Sequence, residues 1–92
     1  MQTLTQHASG RMQQRGIKPD TVEILLACGA REYDHRGAAV IYFDKLARKR
    51  LLTRYGSTQY RALEGQLNAY AVLSEGGDVI TIGHRTKRIN RH

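Results

Sequence analysis

A β-hairpin near the C-terminus is the sequence feature that most constrains the fold. Two β-rich runs, LNAYAVLS over 67–74 and VITIG over 79–83, flank the turn residues EGGD. Runs of this composition separated by a Gly-Gly turn predict two antiparallel strands joined by a short loop. The sheet of this protein is therefore expected to be antiparallel and to contain these residues.

Two helices are predicted ahead of the hairpin. The first covers 5–15, with Thr5 as its N-cap and Gly16 as its left-handed stop. Its apolar stripe consists of Leu4, Ala8 and Met12, which recur every fourth residue. The second helix covers 19–28 and begins with Pro19, whose missing N–H costs nothing in a first turn.

The middle of the chain predicts one strand and one helix. Residues 31–37 fit a turn or an exposed edge strand, and AVIYFD over 39–44 fits a central strand because its apolar groups lie on both faces. KLARKRLLTRY over 45–55 predicts a helix that ends at Gly56, with an inward face of Ala47, Leu51, Leu52 and Tyr55. A short helical turn with Leu63 inward follows. The predicted fold class is α+β, with N-terminal helices packed on one face of a small antiparallel sheet.

Alternation along the last strand assigns its side chains to two faces. One face is expected to carry Ile80, Ile82 and His84, and the other Val79, Thr81 and Arg85. Because 92 residues are too few for two independent cores, we expect residues 1–84 to form a single α+β domain. Residues 85–92 are expected to form a basic C-terminal tail.

Charge is the strongest indication of a partner. Fifteen Lys and Arg stand against eight Asp and Glu, which gives a net charge of +7, and eleven of the fifteen are Arg. Arginine has a planar fork of donors that suits phosphate, and clustered cations favour nucleic acid over a uniformly basic surface. The predicted nucleic-acid-binding residues are Arg15, Lys45, Arg48, Lys49, Arg50, Arg54, Lys87 and Arg88. The alternatives are a solvated face that keeps the protein in solution and a face that binds an acidic protein.

Several classes of protein fit the sequence poorly. Cys28 is the single cysteine, and the four histidines are scattered, so neither a disulfide framework nor a metal site is expected. No apolar run reaches the roughly 18 residues of a membrane span, and no signal peptide is evident, so a cytoplasmic location is expected. Nothing in the chain calls for a cofactor. Edge strands of a small sheet make a homodimer an open alternative.

Two stretches carry a resemblance to a known family. HASGRMQQRGIKPDTVEILL and LNAYAVLSEGGDVITIGHRTKRI resemble a bacterial family of small domains, domain of unknown function 4258, over most of the chain. Domains of this kind are suggested to be similar to the RelE, barnase and EndoU group of metal-independent ribonucleases. The resemblance implies RNA as a partner in preference to DNA, with a toxin-like endoribonuclease activity. Its polar residues correspond to His7, Arg11, Arg15, Thr81, His84 and Arg85, and Gly10 stands where the family often has an acidic residue.

A chemical hypothesis follows for these residues. Metal-independent RNA cleavage needs a base for the 2′-hydroxyl, an acid for the departing 5′-oxygen and cations for the phosphate. Histidine suits the first two tasks near neutral pH, and arginine suits the third. The predicted catalytic residues are His7 and His84 as the acid–base pair, with Arg11 and Arg85 on the phosphate. Tyr42 and Thr81 are further candidates for positioning.

Three functional classes stay open at this point. A ribonuclease requires His7 and His84 to converge on one phosphate, whereas a non-catalytic nucleic-acid binder requires only that the cations merge into one surface. A protein-interaction module requires an apolar patch beside the basic one. Each candidate residue also has a plain structural interpretation, since surface histidines, solubilising arginines and packed strand tyrosines are common.

Overall fold

Three helices and a four-stranded sheet make up the fold of the described residues. The computed structural model describes residues 4–34 and 36–85. In chain order the elements are α1 (Gln6–Gln14), α2 (Pro19–Cys28), β1 (Ala30–Tyr33), β2 (Ala39–Tyr42), α3 (Lys45–Leu63), a 3₁₀ turn (Glu64–Gln66), β3 (Ala69–Leu73) and β4 (Val79–His84). The strands lie in the order β1-β2-β3-β4, and every neighbouring pair is antiparallel. The predicted α+β class, with its hairpin and its two N-terminal helices, is confirmed.

The ends of α1 follow the predicted signals. The Thr5 hydroxyl accepts a hydrogen bond from the backbone N–H of Ala8 at 3.2 Å, as an N-cap should. Gly16 has a φ of 66°, and the N–H of Ile17 donates back to the carbonyl of Met12 at 3.0 Å. This is the Schellman ending, in which a left-handed glycine lets the chain reverse and the next apolar residue pack against the last turn.

The helix α1 runs alongside β4 in the same direction. At its start, the N–H of Thr5 donates to the carbonyl of Val79 at 3.0 Å. At its end, Nε2 of His84 lies 3.2 Å from the carbonyl oxygen of Arg15. These two contacts fix the helix against the edge strand, while α2 packs on β2 and β3. The core lies between this layer and the sheet, around Leu25, Ile41 and Ile82, all nearly inaccessible to solvent.

A bulge in β4 overturns one predicted face. Leu73 pairs with Val79 but Val72 pairs with Thr81, so Ile80 is an extra residue on its strand. Val79 is 0% exposed and Ile80 is 38% exposed. The prediction that Ile80 shares a face with Ile82, opposite Val79, was therefore wrong, because strict alternation fails where one residue is inserted. Beyond the bulge the alternation resumes, and Ile82 is buried.

The third helix contains both the predicted helix and the predicted short helical turn that follows it, with a break between them at Gly56. Asp44 caps its start, with a carboxylate oxygen 2.7 Å from the N–H of Ala47. Gly56, predicted as its end, has φ 87° and ψ 170°, and helical structure resumes after it as far as Leu63. Buried positions on this helix are Ala47, Leu51 and Leu63, whereas Leu52 and Tyr55, which were predicted to face inward, are exposed. The buried face of α3 is narrower than the predicted one because this helix packs mainly on a single element, α2.

The sheet face opposite the helices carries a row of paired residues from all four strands. Ala30 pairs with Tyr42, Tyr42 with Tyr70, and Tyr70 with Gly83. Directly paired residues point to the same side of a sheet, so these side chains form one row across it. We call this side the open face. Arg85 follows β4 two residues after Gly83 and therefore belongs to the same side.

Candidate nucleic-acid interface

The sheet end at which β4 finishes is held together by Gln66. Its side-chain oxygen accepts hydrogen bonds from the backbone N–H of Lys18 at 3.1 Å and from the hydroxyl of Thr21. Its side-chain nitrogen donates to the carbonyl of Gly16 at 2.9 Å. One amide thus joins the connection between α1 and α2 to the turn that precedes β3.

Arg85 leaves the sheet at this same end. Its backbone N–H donates to the carbonyl of Asn68 at 2.7 Å. Its guanidinium carbon lies 4.6 Å from the ring centroid of Tyr42 and 5.6 Å from that of Tyr70. Both distances are within the roughly 6 Å at which a cation is attracted to an aromatic face. Arg85 was predicted as the first residue of the tail, but its side chain packs on the sheet.

Partial burial changes the electrostatics of Arg85. Its Nε is buried and has no hydrogen-bond partner among the described residues. Desolvation lowers the pKa of the Arg85 guanidinium, while the charges of Glu32 and Tyr70 act in the opposite direction. Arginine stays protonated in proteins. The result is a cation that has lost part of its hydration, and such a cation gains more from an anion than a fully hydrated one does.

The two tyrosines beneath Arg85 are fixed by their neighbours. Tyr42 is only 3% exposed, and its hydroxyl donates to the carboxylate of Glu32. The ring of Tyr70 lies against Gly83, where an added Cβ would come within 3.0 Å of the tyrosine Cε1. The missing side chain at Gly83 therefore leaves room for the ring to lie across β4. Because Tyr42 is almost fully buried, Tyr70, which is half-buried, is the one of these two rings that a ligand can reach.

Three more basic residues lie near the turn that precedes β3. The carbonyl of Arg15 meets the ring of His84, and the backbone of Lys18 is held by Gln66. Arg48 reaches across from α3, where its guanidinium donates to the carbonyls of Phe43 and Leu67 at 3.3 and 3.4 Å. The acidic residues in the flanking segments are Asp20, Asp44 and Glu64. We call Arg15, Lys18, Arg48 and Arg85 the basic end.

The structure does not bring the two candidate catalytic histidines together. The ring of His84 lies against the carbonyl of Arg15, at the C-terminal end of α1. His7 lies exposed in the first turn of that helix. Eight residues separate His7 from Arg15, which corresponds to about 12 Å along the helix axis. Arg11 lies between them, half-buried, and Arg85 lies on the open face.

The predicted cluster on α3 divides into two groups. Arg48 and Arg50 turn back onto the protein, since the guanidinium of Arg50 donates twice to the carbonyl of Cys28, at 3.3 and 3.0 Å. Lys45, Lys49 and Arg54 are exposed. The remaining predicted nucleic-acid-binding residues, Lys87 and Arg88, belong to the predicted tail and lie outside the described residues.

Neither a metal centre nor a membrane span emerges from the described residues. Within 4–34 and 36–85, no three His, Cys, Asp or Glu side chains are grouped so that they could hold a metal ion. In the same part of the chain, none of the helices combines the length and the apolar character that crossing a bilayer would require. The described site consists of arginine, lysine, tyrosine and amide groups, which suit anion binding.

Comparison with known proteins adds no relative. No family model, curated protein or solved structure matches this chain. The resemblance to domain of unknown function 4258 stays a prediction, and the function must be inferred from the site.

Several residues of this site were not predicted as functional. Gln66 and Lys18 gave no local signal, because their roles depend on a contact between residues 48 positions apart in the chain. The prediction of a turn or exposed strand over 31–37 missed the role of Glu32, whose carboxylate accepts the Tyr42 hydroxyl. Glycine opposite an aromatic residue in paired strands was the one available clue, because such a glycine often accommodates the ring.

Proposed function

We propose that this protein binds single-stranded RNA through the basic end. The observation that carries the proposal is the stacked and partly desolvated guanidinium of Arg85, at the same end of the sheet as Arg15, Lys18 and Arg48. The guanidinium groups of Arg85 and Arg48 are held by contacts within the protein, and cations positioned in advance bind phosphates with little further loss of side-chain entropy. The net charge of +7 supports this choice, because it favours encounter with a polyanion.

The side chains of this surface suit single-stranded RNA better than a duplex. Unpaired strands are bound by cations that follow the backbone and by aromatic or arginine planes on which bases stack. Arg85 and the half-buried Tyr70 offer such planes beside the basic end. The preference for RNA over DNA is inferred from the family resemblance, and an RNA and a DNA strand of equal sequence compare the two directly.

Cleavage is a separate hypothesis, and binding does not require it. A catalytic acid or base must lie within about 3 Å of the proton that it transfers. His7 and His84 lie at opposite ends of α1, so we infer binding without cleavage by this pair. Incubation of total RNA with the protein in chelator tests this inference. Intact RNA supports it, whereas cleavage that disappears in the His7→Ala/His84→Ala variant would restore the catalytic hypothesis.

Fluorescence anisotropy with a labelled RNA of about 12 nucleotides tests the binding proposal. Lys18→Gln and Arg85→Gln remove one charge each from the basic end. Arg36→Gln removes one charge at the opposite end of the sheet, where the backbone N–H of Arg36 donates to Asp34 in the β1–β2 turn, and is the matched control.

The two variants of the basic end should each weaken RNA binding. The slope of log affinity against log salt concentration should become shallower by about 0.7 for each phosphate that the variant no longer neutralises. Arg36→Gln should leave both the affinity and the slope unchanged. Equal losses of affinity in all three variants would show a diffuse charge effect and contradict the proposed site. The absence of RNA binding would contradict it as well.

A further inference from the structure

A groove separate from the basic end lies between α2 and α3. It has a volume of about 370 Å³ and is bounded by the last residues of α2 and the first half of α3. Its apolar lining comes from Ala27, Cys28 and Leu46. This volume lies within the roughly 300–1,000 Å³ that binding clefts in proteins occupy.

Leu46 is the most unusual residue of the groove. It is 60% exposed, although it lies near the N-terminus of a helix whose other face is buried. A single exposed leucine is ordinary, but one that borders an open groove adds to a contiguous apolar surface. A surface for phosphate alone would have no use for such a patch.

The rim of the groove is basic. Lys49, Arg50 and Arg54 all line it, and no acidic side chain among the described residues does. Glu23 lies one turn before Ala27 on α2, outside the lining. Arg50 is held in place by its two hydrogen bonds to the carbonyl of Cys28. The groove thus has an apolar centre and a positively charged border, which is the arrangement of a protein interface with a desolvated core and a polar rim.

The length of the groove matches a helix. Leu46 and Arg54 are eight residues apart on α3, a distance of about 12 Å or two helical turns. A helix that docks in a groove uses apolar side chains at i, i+3 or i+4 and i+7, which cover the same length. Cationic side chains along the groove would pair with carboxylates that flank those apolar residues.

We propose that this groove binds an acidic amphipathic helix of another protein. Apolar side chains of the partner pack on Leu46 and Ala27, and its carboxylates pair with Lys49 and Arg54. The proposal concerns a protein partner at a site other than the one proposed for RNA.

A synthetic helical peptide tests the proposal directly. The peptide carries leucines at i, i+3 and i+7 with glutamates on both sides of them, and two control peptides replace either the leucines with serines or the glutamates with lysines. Binding is measured by calorimetry, and the contact surface is located by amide chemical shifts. The acidic leucine peptide should bind and shift residues of α2 and α3, while both controls should fail.

Protein variants locate the charge contribution. Lys49→Glu/Arg54→Glu should weaken peptide binding at least about fivefold, because both rim cations are reversed. Arg61→Glu, an exposed charge farther along α3, is the control and should have no effect.

Absence of peptide binding, or equal binding of the serine peptide, would overturn the proposal. So would a Lys49→Glu/Arg54→Glu variant that loses RNA affinity instead of peptide affinity, since the groove would then belong to the RNA surface. Failure of RNA binding at the basic end with intact peptide binding would refute the proposed function alone.

Discussion

The guanidinium carbon of Arg85 lies over the ring of Tyr42, 4.6 Å from its centroid, although Arg85 follows one strand and Tyr42 lies in another that is not its neighbour in the sheet. Arg85 follows β4 and Tyr42 lies in β2, so the side chain crosses over β3 to reach it. Tyr70 of β3 lies between them, 5.6 Å from the guanidinium. This contact places a charge on the open face of the sheet rather than at the start of a tail.

Replacement of Arg85 should separate the effect of charge from that of shape. Arg85→Lys keeps the charge but loses the planar group that stacks on Tyr42, and Arg85→Gln loses both. We expect RNA affinity to fall in the order arginine, lysine, glutamine, with at least about tenfold between arginine and glutamine, since charge-assisted hydrogen bonds contribute about 1.5–3 kcal/mol. Anisotropy titrations check the order, and equal affinity of the three proteins would contradict it.

The hydroxyl of Tyr42 should contribute to stability. Tyr42→Phe removes the hydrogen bond to Glu32 and keeps the ring beneath Arg85, so the free energy of unfolding should fall by about 0.5–1.5 kcal/mol. Tyr33→Phe is the control, because Tyr33 is 67% exposed on the edge strand and its hydroxyl is available to water. Urea denaturation measures both. A loss of the same size in each variant would show that the hydroxyl of Tyr42 has no special role.

Replacement by alanine should change the free energy of unfolding in opposite directions at two of the glycines. At Gly83 a Cβ would meet the Tyr70 ring at 3.0–3.2 Å, so Gly83→Ala should displace the ring and cost about 1–3 kcal/mol. At Gly10, inside α1, nothing lies within 4 Å of the added atom, and Gly10→Ala should stabilise by about 0.5–1 kcal/mol. Thermal unfolding measures the change in stability of both variants. A stabilised Gly83→Ala protein would mean that Tyr70 is not confined by β4.

Much of the fold could be predicted because its signals are local. Thr5 and Gly16 mark the ends of α1 through their own side chains and backbone, and the Gly-Gly turn marks the hairpin. The bulge at Ile80 could not be predicted, because an inserted residue is defined by the strand that it pairs with. The exposure of Leu52 and Tyr55 was likewise missed, since the side of α3 that is covered depends on its packing against α2.

The sequence identified charged residues of the site but not their arrangement. Arg85 and Arg15 stand out from the sequence as cations, but neither their proximity nor the stack on Tyr42 has a local signature. Gln66 shows why: its partners Gly16 and Lys18 are about half the chain away, and an exposed-looking amide gives no hint of three hydrogen bonds.

Removal of the Gln66 side chain should destabilise the protein at the basic end. Gln66→Ala removes two acceptor contacts and one donor contact, leaving the backbone groups of Gly16 and Lys18 to water, and should cost about 1–3 kcal/mol of stability. Gln13→Ala, an exposed position on α1, should cost nothing. Chemical denaturation checks both variants, and an unchanged Gln66→Ala protein would contradict the role proposed for this amide.

The most direct test of the central claim is the footprint of single-stranded RNA on the backbone amides, followed by two-dimensional NMR during a titration. We predict that the largest shifts occur at residues 15–18, 66–68 and 84–85, which surround the basic end, and that they diminish with added salt. Shifts confined to the outer face of α3, or no shifts at any RNA concentration, would contradict the proposed site.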